Sequence, residues 1–366
     1  MKLLSLLQTM FMSLALSFPA ASSAASADMR IGVAAPLSGS FALLGHQLTD
    51  GAHIATTMAP AGKAATPIIV DDKCSAEGGA AAAETFIKAG VRIATGFLCI
   101  EALEAALPLL AEKNIPVLTP GIRERGLTER RAKEPLPVFR LIPPSHREAA
   151  AAGEILGRLW RDKPFAIIDD GTIRGRELAL GVRIALEEKG LKPVFTDTYR
   201  PGLENQSALV SRLRRAGATQ VFIGGERDDA AAVASAAAEL DYPLEIAGDE
   251  ALMAAPGATD LAPGTLMIAT PEAETLPSAA PAVAAIHSTG KPAEGYAVPG
   301  YAMLQIAMQA VTAAEAEKQP VLTVLRSSRT FDTALGAISF DEKGERSDNP
   351  YRLLRYDGSH FVPEAK

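Results

Sequence analysis

A short apolar run that stops at a polar loop and gives way to apolar positions at helical spacing recurs along this chain, and that recurrence restricts the fold more than any other feature. "RIGVAAPLSG" at 30–39 is a β-branched run ended by Pro-Leu-Ser-Gly, and helical spacing follows over 45–58. The unit repeats with "PIIVDD" before an Ala-rich helix at 78–90, with "VRIATGF" before 101–113, and with "IPVLTP". Strands separated by helices build a parallel sheet covered on both faces.

A second series begins at "PLPVFRLIPPSHREAA", where Pro143 and Pro144 break the chain before a helix running through Trp160. "PFAIIDDG", "PVFTDTYRPG", "TQVFIGGERDD" and "LEIAGDEAL" each offer a strand, with helices near 173–189, 205–216 and 228–240. "GTLMIATPE" adds a strand with a proline exit, helices follow near 279–288 and 297–317, and an extended segment runs from Phe331 to "YRLLRYDG". The expected fold class is α/β, with two doubly wound parallel-sheet lobes joined by a three-crossover hinge. The first lobe is expected from 28–142 and 270–330, the second from 143–269 and 331–366. Ligands of open α/β sheets sit outside the carboxyl ends of the strands, here between the lobes.

Residues 1–27 carry Lys2, an apolar stretch to about Phe18 and the small-residue end Ala25-Ser26-Ala27. This is the pattern of a cleaved export signal, with an uncleaved anchor as the alternative. No later segment is long enough to span a bilayer, and neither cysteine lies near the cleavage region to carry a lipid. Formal net charge is −7, or −8 once Lys2 is removed, which disfavours nucleic acid as a partner. Cys74 and Cys99 are the only cysteines. In an oxidising compartment they read as one disulfide, with two buried free thiols as the alternative; a metal site lacks ligand spacing.

No nucleotide-binding, nucleophile-elbow or zinc-protease signature is present. The histidines at 46, 53, 146, 287 and 360 are scattered, and His46 and His53 read as surface residues. The pairs Asp169-Asp170 and Asp228-Asp229 stand at strand ends, where helix capping is their commoner role and acid–base chemistry the rarer one. Neither a cofactor nor a metal is expected. What recurs is the strand ending in a polar loop, and one such loop, "PVLTPGIRERGLTER" at 116–130, is dense in charge.

At these loops the sequence resembles the type I periplasmic solute-binding proteins of ABC transporters, closest to the branched-chain amino acid (Leu/Ile/Val) group. "IGVAAPLSGSFALLG" is similar to that family's first strand and loop, "DDKCSAEGG" with "GFLC" to its disulfide pair, and "FDTALGAISFDEKGE" to its last crossover. The resemblance covers almost the whole chain after residue 27. It implies a periplasmic monomer that captures a small molecule between its lobes and docks on a membrane permease, without doing chemistry on the ligand. It also implies a ligand carboxylate on the first lobe and a ligand ammonium on an acid of the second, the position of Glu250. The family's serine after the second cysteine is Ile100 here, and its hydroxyl triplet is Gly121-Ile122-Arg123. Its aromatic positions appear as Leu44, Arg174 and Glu226.

With the hydroxyls gone, Arg123 is placed to hold a carboxylate by a charge-assisted pair, and Arg174 could do so from the other lobe. The alternative is that these arginines pair with Glu226, Glu250 or Glu124 and keep the lobes together. Arg125 and Arg130 read as solvated. The exchanged residues point to a small polar carboxylate, an amino acid or organic acid; branched-chain amino acid binding with structural arginines, a sensory module, and an enzyme built on the aspartate pairs are the rivals.

Overall fold

The computed structural model describes residues 29–60, 64–124, 126–129 and 136–364. The expected signal segment, Arg125 and Arg130 lie outside the described residues. The first lobe opens with β1 (Arg30–Ala35), α1 (Ala42–Thr57), β2 (Thr66–Asp71), α2 (Ala76–Ala89), β3 (Ile93–Gly96) and α3 (Ile100–Glu112). It continues through β4 (Val117–Thr119), the short α4 (Gly126–Glu129) and β5 (Val138–Arg140). These strands form one parallel sheet in the order β2-β1-β3-β4-β5. Alternation along β1 decides its two faces: Ile31, Val33 and Ala35 enter one buried cluster and Ala34 another, with α2 and α3.

The second lobe comprises α5 (Ser145–Leu159), β6 (Phe165–Asp169), α6 (Ile173–Glu187), β7 (Phe195–Thr198), α7 (Ser207–Ala216), β8 (Gln220–Gly224), α8 (Arg227–Glu239), β9 (Glu245–Gly248) and β10 (Leu266–Ala269). Here too the side chains alternate. Val221 and Ile223 of β8 face the α7–α8 side, whereas Phe222 faces the α5–α6 side. Trp160, fully buried behind α5, stacks on Phe165 and donates from Nε1 to the Glu245 carboxylate at 2.9 Å.

After β10 the chain returns to the first lobe as α9 (Ala280–His287), α10 (Ala297–Glu317) and α11 (Val321–Arg326). Helices α1 and α10 approach so closely that a Cβ on Gly51 would lie 1.8 Å from the Ala297 carbonyl oxygen, and one on Gly300 2.2 Å from that of Leu48. Only glycine allows that backbone contact.

One expected boundary moves. The hairpin β11 (Phe331–Thr333) and β12 (Gly336–Ile338) does not begin the second lobe: Phe331, Ile338 and Phe340 are buried in the first-lobe core with α1 and α10. The final crossover therefore falls after Glu345. The chain then adds β13 (Arg352–Tyr356) antiparallel to β10, and β14 (Phe361–Pro363) antiparallel to β13. Apolar residues around "GAISF" suit either lobe by pattern; burial against α10 decided the choice. The second sheet runs β14-β13-β10-β9-β8-β6-β7. Among the described residues no helix is long and apolar enough to cross a membrane.

Cys74 and Cys99 form a disulfide, with Cα atoms 5.2 Å apart, that ties the loop after β2 to the N-terminus of α3. By the chain-entropy argument, closing this loop stabilises the fold by about 3 kcal/mol. Replacing both cysteines by serine is expected to lower the urea-unfolding free energy by about that amount; an unchanged midpoint would mean the crosslink constrains nothing.

Candidate functional site

The charged loop after β4 is held before it reaches the cleft. Thr119 donates from Oγ1 to the Phe97 carbonyl at 2.9 Å, joining the ends of β4 and β3. Gly121 lies against Leu98 and the ring of Tyr296, whose hydroxyl oxygen would stand 3.0 Å from an added Cβ. Ile122 is buried in the core. The fully buried Arg140, at the end of β5, pairs with Glu345 and donates to the carbonyls of Ile122 (3.4 Å) and Glu124 (2.6 Å). Arg123 thus projects from a segment anchored on both sides.

Opposite it, β9 is followed by Asp249, whose Oδ1 accepts from the Ala251 N–H at 3.1 Å and caps a 3-10 turn, Glu250–Met253. Arg123 forms an ion pair with Glu250 across the lobes, and its Nη2 reaches the Tyr351 hydroxyl at 3.4 Å. Arg174 pairs with the almost fully buried Asp249. A cation in the first turn of α6 opposes that helix's dipole, and the carboxylate offsets it. Glu148, in the first turn of α5, completes the group: it is 5% exposed, and its Oε1 has no hydrogen-bond partner.

The electrostatics follow from burial and these neighbours. Burial raises the Glu148 carboxyl most, Asp249 and Glu250 add to the rise, Arg123 and Arg174 pull against it, and the balance leaves it at about 7. Burial opposes the charge on Arg123, but Glu250 more than offsets this and holds the guanidinium protonated. Burial also raises Asp249, against the pull of Arg174, and raises the Tyr296 and Tyr351 hydroxyls. A carboxyl raised in this way stabilises the assembled cleft fully below its ordinary value of 4.5, and that contribution is lost as pH rises through about 7.

The structure brings Arg123, Arg174 and Glu250 together and sets Gly121 beside Tyr296 at the same end of the sheet. Ile100 is partly buried and packs on the α2–α3 core, and Leu44 is partly buried on α1. Glu226 is exposed at the N-terminus of α8 and acts electrostatically on Tyr199, apart from the two arginines' partners. His46 and His53 are exposed. Asp169 and Asp170 accept from the N–H groups of Gly171 and Thr172, and Asp228 and Asp229 from those of Gly257 and Gly202, so all four shape loops. Sequence reading missed Arg140, Glu148, Asp249, Tyr296 and Tyr351. The available signals were Arg140 ending an apolar strand, Glu148 opening the helix after two prolines, and Asp249 beside Glu250.

Two sheet lobes with carboxyl ends converging on an interlobe cleft of paired charges define a solute-binding protein of the hinged, two-lobed class. Residues 28–360 match the family described as periplasmic binding protein, and the chain belongs to that family. It is a family of small-molecule receptors that work with ABC transporter permeases, and membership implies a periplasmic location. The Leu/Ile/Val-binding protein homolog 3 of Brucella melitensis is 26% identical over 351 residues, covering 93% of this chain and 94% of the relative. A putative branched-chain amino acid ABC transporter protein from Rhodospirillum rubrum superposes with a TM-score of 0.78 at 18% identity, covering 92% of this chain and 99% of that one. An ABC transporter substrate-binding protein of Desulfitobacterium hafniense, solved in complex with Leu, superposes at 0.68 with 20% identity over 92% of this chain and 99% of its own.

Arg140→Ala breaks the buried pair with Glu345 and removes the donor to the Ile122 and Glu124 carbonyls, and is expected to cost about 3–5 kcal/mol of stability, measured by urea unfolding. Glu250→Gln removes the interlobe ion pair and is expected to raise the radius of gyration in small-angle scattering; an unchanged profile would mean other contacts hold the lobes.

Proposed function

We propose that this protein is the solute receptor of an ABC importer and that its ligand is an amino acid with a polar or charged side chain. The observation that carries the reading is the Arg123–Glu250 pair, one partner on each lobe. An α-amino acid offers a carboxylate to Arg123 and an ammonium to Glu250, so both charges keep a partner when the ligand enters between them. A simple organic dianion fits worse, because Glu148, Asp249 and Glu250 stand beside the two arginines and repel it. Ligand joins the open cleft, the lobes close about the crossovers, and the closed form docks on the permease. In this reading the ligand leaves unaltered, as it does from a receptor that hands its cargo to a permease.

A second reading, an apolar branched-chain amino acid with the arginines purely structural, draws support from the binding names of the relatives and from the apolar Leu98 and Ile100 near the loop. The test is a thermal-shift and calorimetric screen of the protein, stripped of co-purified solute, against polar and branched-chain amino acids, dicarboxylates and hydroxybenzoates. A ligand at a hundred times its dissociation constant adds about 2.7 kcal/mol of stability. Polar amino acids are expected to bind, and Arg123→Ala to weaken them by two orders of magnitude or about 3 kcal/mol. Binding confined to leucine, isoleucine and valine, unaffected by Arg123→Ala, would establish the second reading instead.

A further inference from the structure

We infer that Glu148 is the receptor's side-chain selector, taking a cationic group on the ligand, so that the preferred solute is a basic amino acid. The inference rests on the proposed amino-acid reading and adds the chemistry of the ligand's far end. Glu148 belongs to neither ion pair: Arg123 is taken by Glu250 and Arg174 by Asp249. Yet it is 5% exposed, and its Oε1 is buried with no hydrogen-bond partner. A carboxylate oxygen that is buried and unpaired is costly unless a donor meets it.

The groups that face it come from every side of the cleft. Arg123 acts on it electrostatically from the first lobe, Arg174 from the start of α6, Asp249 and Glu250 from just after β9, and Tyr351 from the approach to β13. On its own helix, the neighbouring Arg147 is turned away to Asp341 and the Arg346 carbonyl. Two arginines thus stand against three carboxylates, a balance of −1 when all are ionised. A zwitterion leaves that balance unchanged, whereas an amino acid with a second positive charge brings it to zero. The α-groups are matched by Arg123 and Glu250, and the remaining acid without a cation of its own is Glu148. Burial and the two neighbouring carboxylates leave this carboxyl at about 7, so a cation placed beside it would favour its ionised form.

The test is calorimetric titration of the wild type, Glu148→Gln and Glu148→Ala with lysine, arginine, glutamine, serine and leucine at pH 6 and pH 8. Lysine or arginine is expected to bind tightest, and about tenfold more tightly at pH 8, where the acid is ionised, than at pH 6. Glu148→Gln should weaken that ligand by about tenfold or more and flatten its pH dependence. The wild-type pH profile needs no variant, so it stands even where a substitution impairs folding. The inference is overturned if glutamine, serine or leucine binds best, or if both variants keep the affinity for the best ligand within twofold. If none of the five binds the wild type, it is the amino-acid reading itself that falls.

Discussion

A guanidinium buried without solvent must have anionic and carbonyl partners close by, and Arg140 is the residue through which that requirement organises the molecule. It stands at the end of the edge strand of the first sheet, pairs with Glu345, and donates to the carbonyls of Ile122 and Glu124. Three parts of the chain that are far apart in sequence are thereby fixed together: the strand that leads into the first crossover, the loop that carries Arg123, and the segment that leads into the last crossover. Charge burial at this point sets the position from which Arg123 meets the other lobe. A hydrophobic residue in its place would satisfy the strand but remove the donor that the loop's carbonyls and Glu345 share.

In the proposed reading the same physics is turned to binding in the cleft. Arg123 and Glu250 are partly buried and paired across the lobes, so their Coulomb energy depends on closure, while Arg174 and Asp249 are paired within the second lobe and hold its rim. Because one pair spans the gap and the other does not, a ligand that matches both ends of the spanning pair couples its own binding to hinge closure. In that reading the three carboxylates beside the arginines disfavour a simple anion. Tyr296 and Tyr351 wall it with hydroxyl-bearing rings, one from the first lobe and one from the second, so the aromatic surface is supplied by elements other than the loops around Leu44, Arg174 and Glu226.

Much of the fold was legible because strand and helix periods leave distinct apolar patterns. β8 shows it in three residues, Val221 and Ile223 to one side and Phe222 to the other. The proline pair 143–144 and the proline exit after β10 marked where the chain changes lobes. The hairpin around Phe331 and Ile338 was not legible in the same way, since an apolar residue shows only that it will be buried, not against which of two cores. In the site, Arg123 and Glu250 could be proposed because the resemblance to the binding-protein family placed them at its ligand positions. Glu148 and Asp249 could not be weighed, because an acid that caps a helix and an acid that lines a cleft look alike in one dimension.

What the sequence by itself determined was the architecture: parallel strands and covering helices in two series, a return of the chain, two cysteines for one bond, and charged residues concentrated where strands end. These follow from local periodicity and from residue types that act alone. The tertiary structure alone decided which charges meet. That Arg123 takes Glu250, that Arg174 takes Asp249 and that Arg140 is wholly buried on Glu345 depend on distances between segments more than 70 residues apart, and that Glu148 keeps an unpaired oxygen depends on how those segments bury it. Electrostatic energy varies with separation and burial, and neither is encoded in the spacing of a single strand or helix.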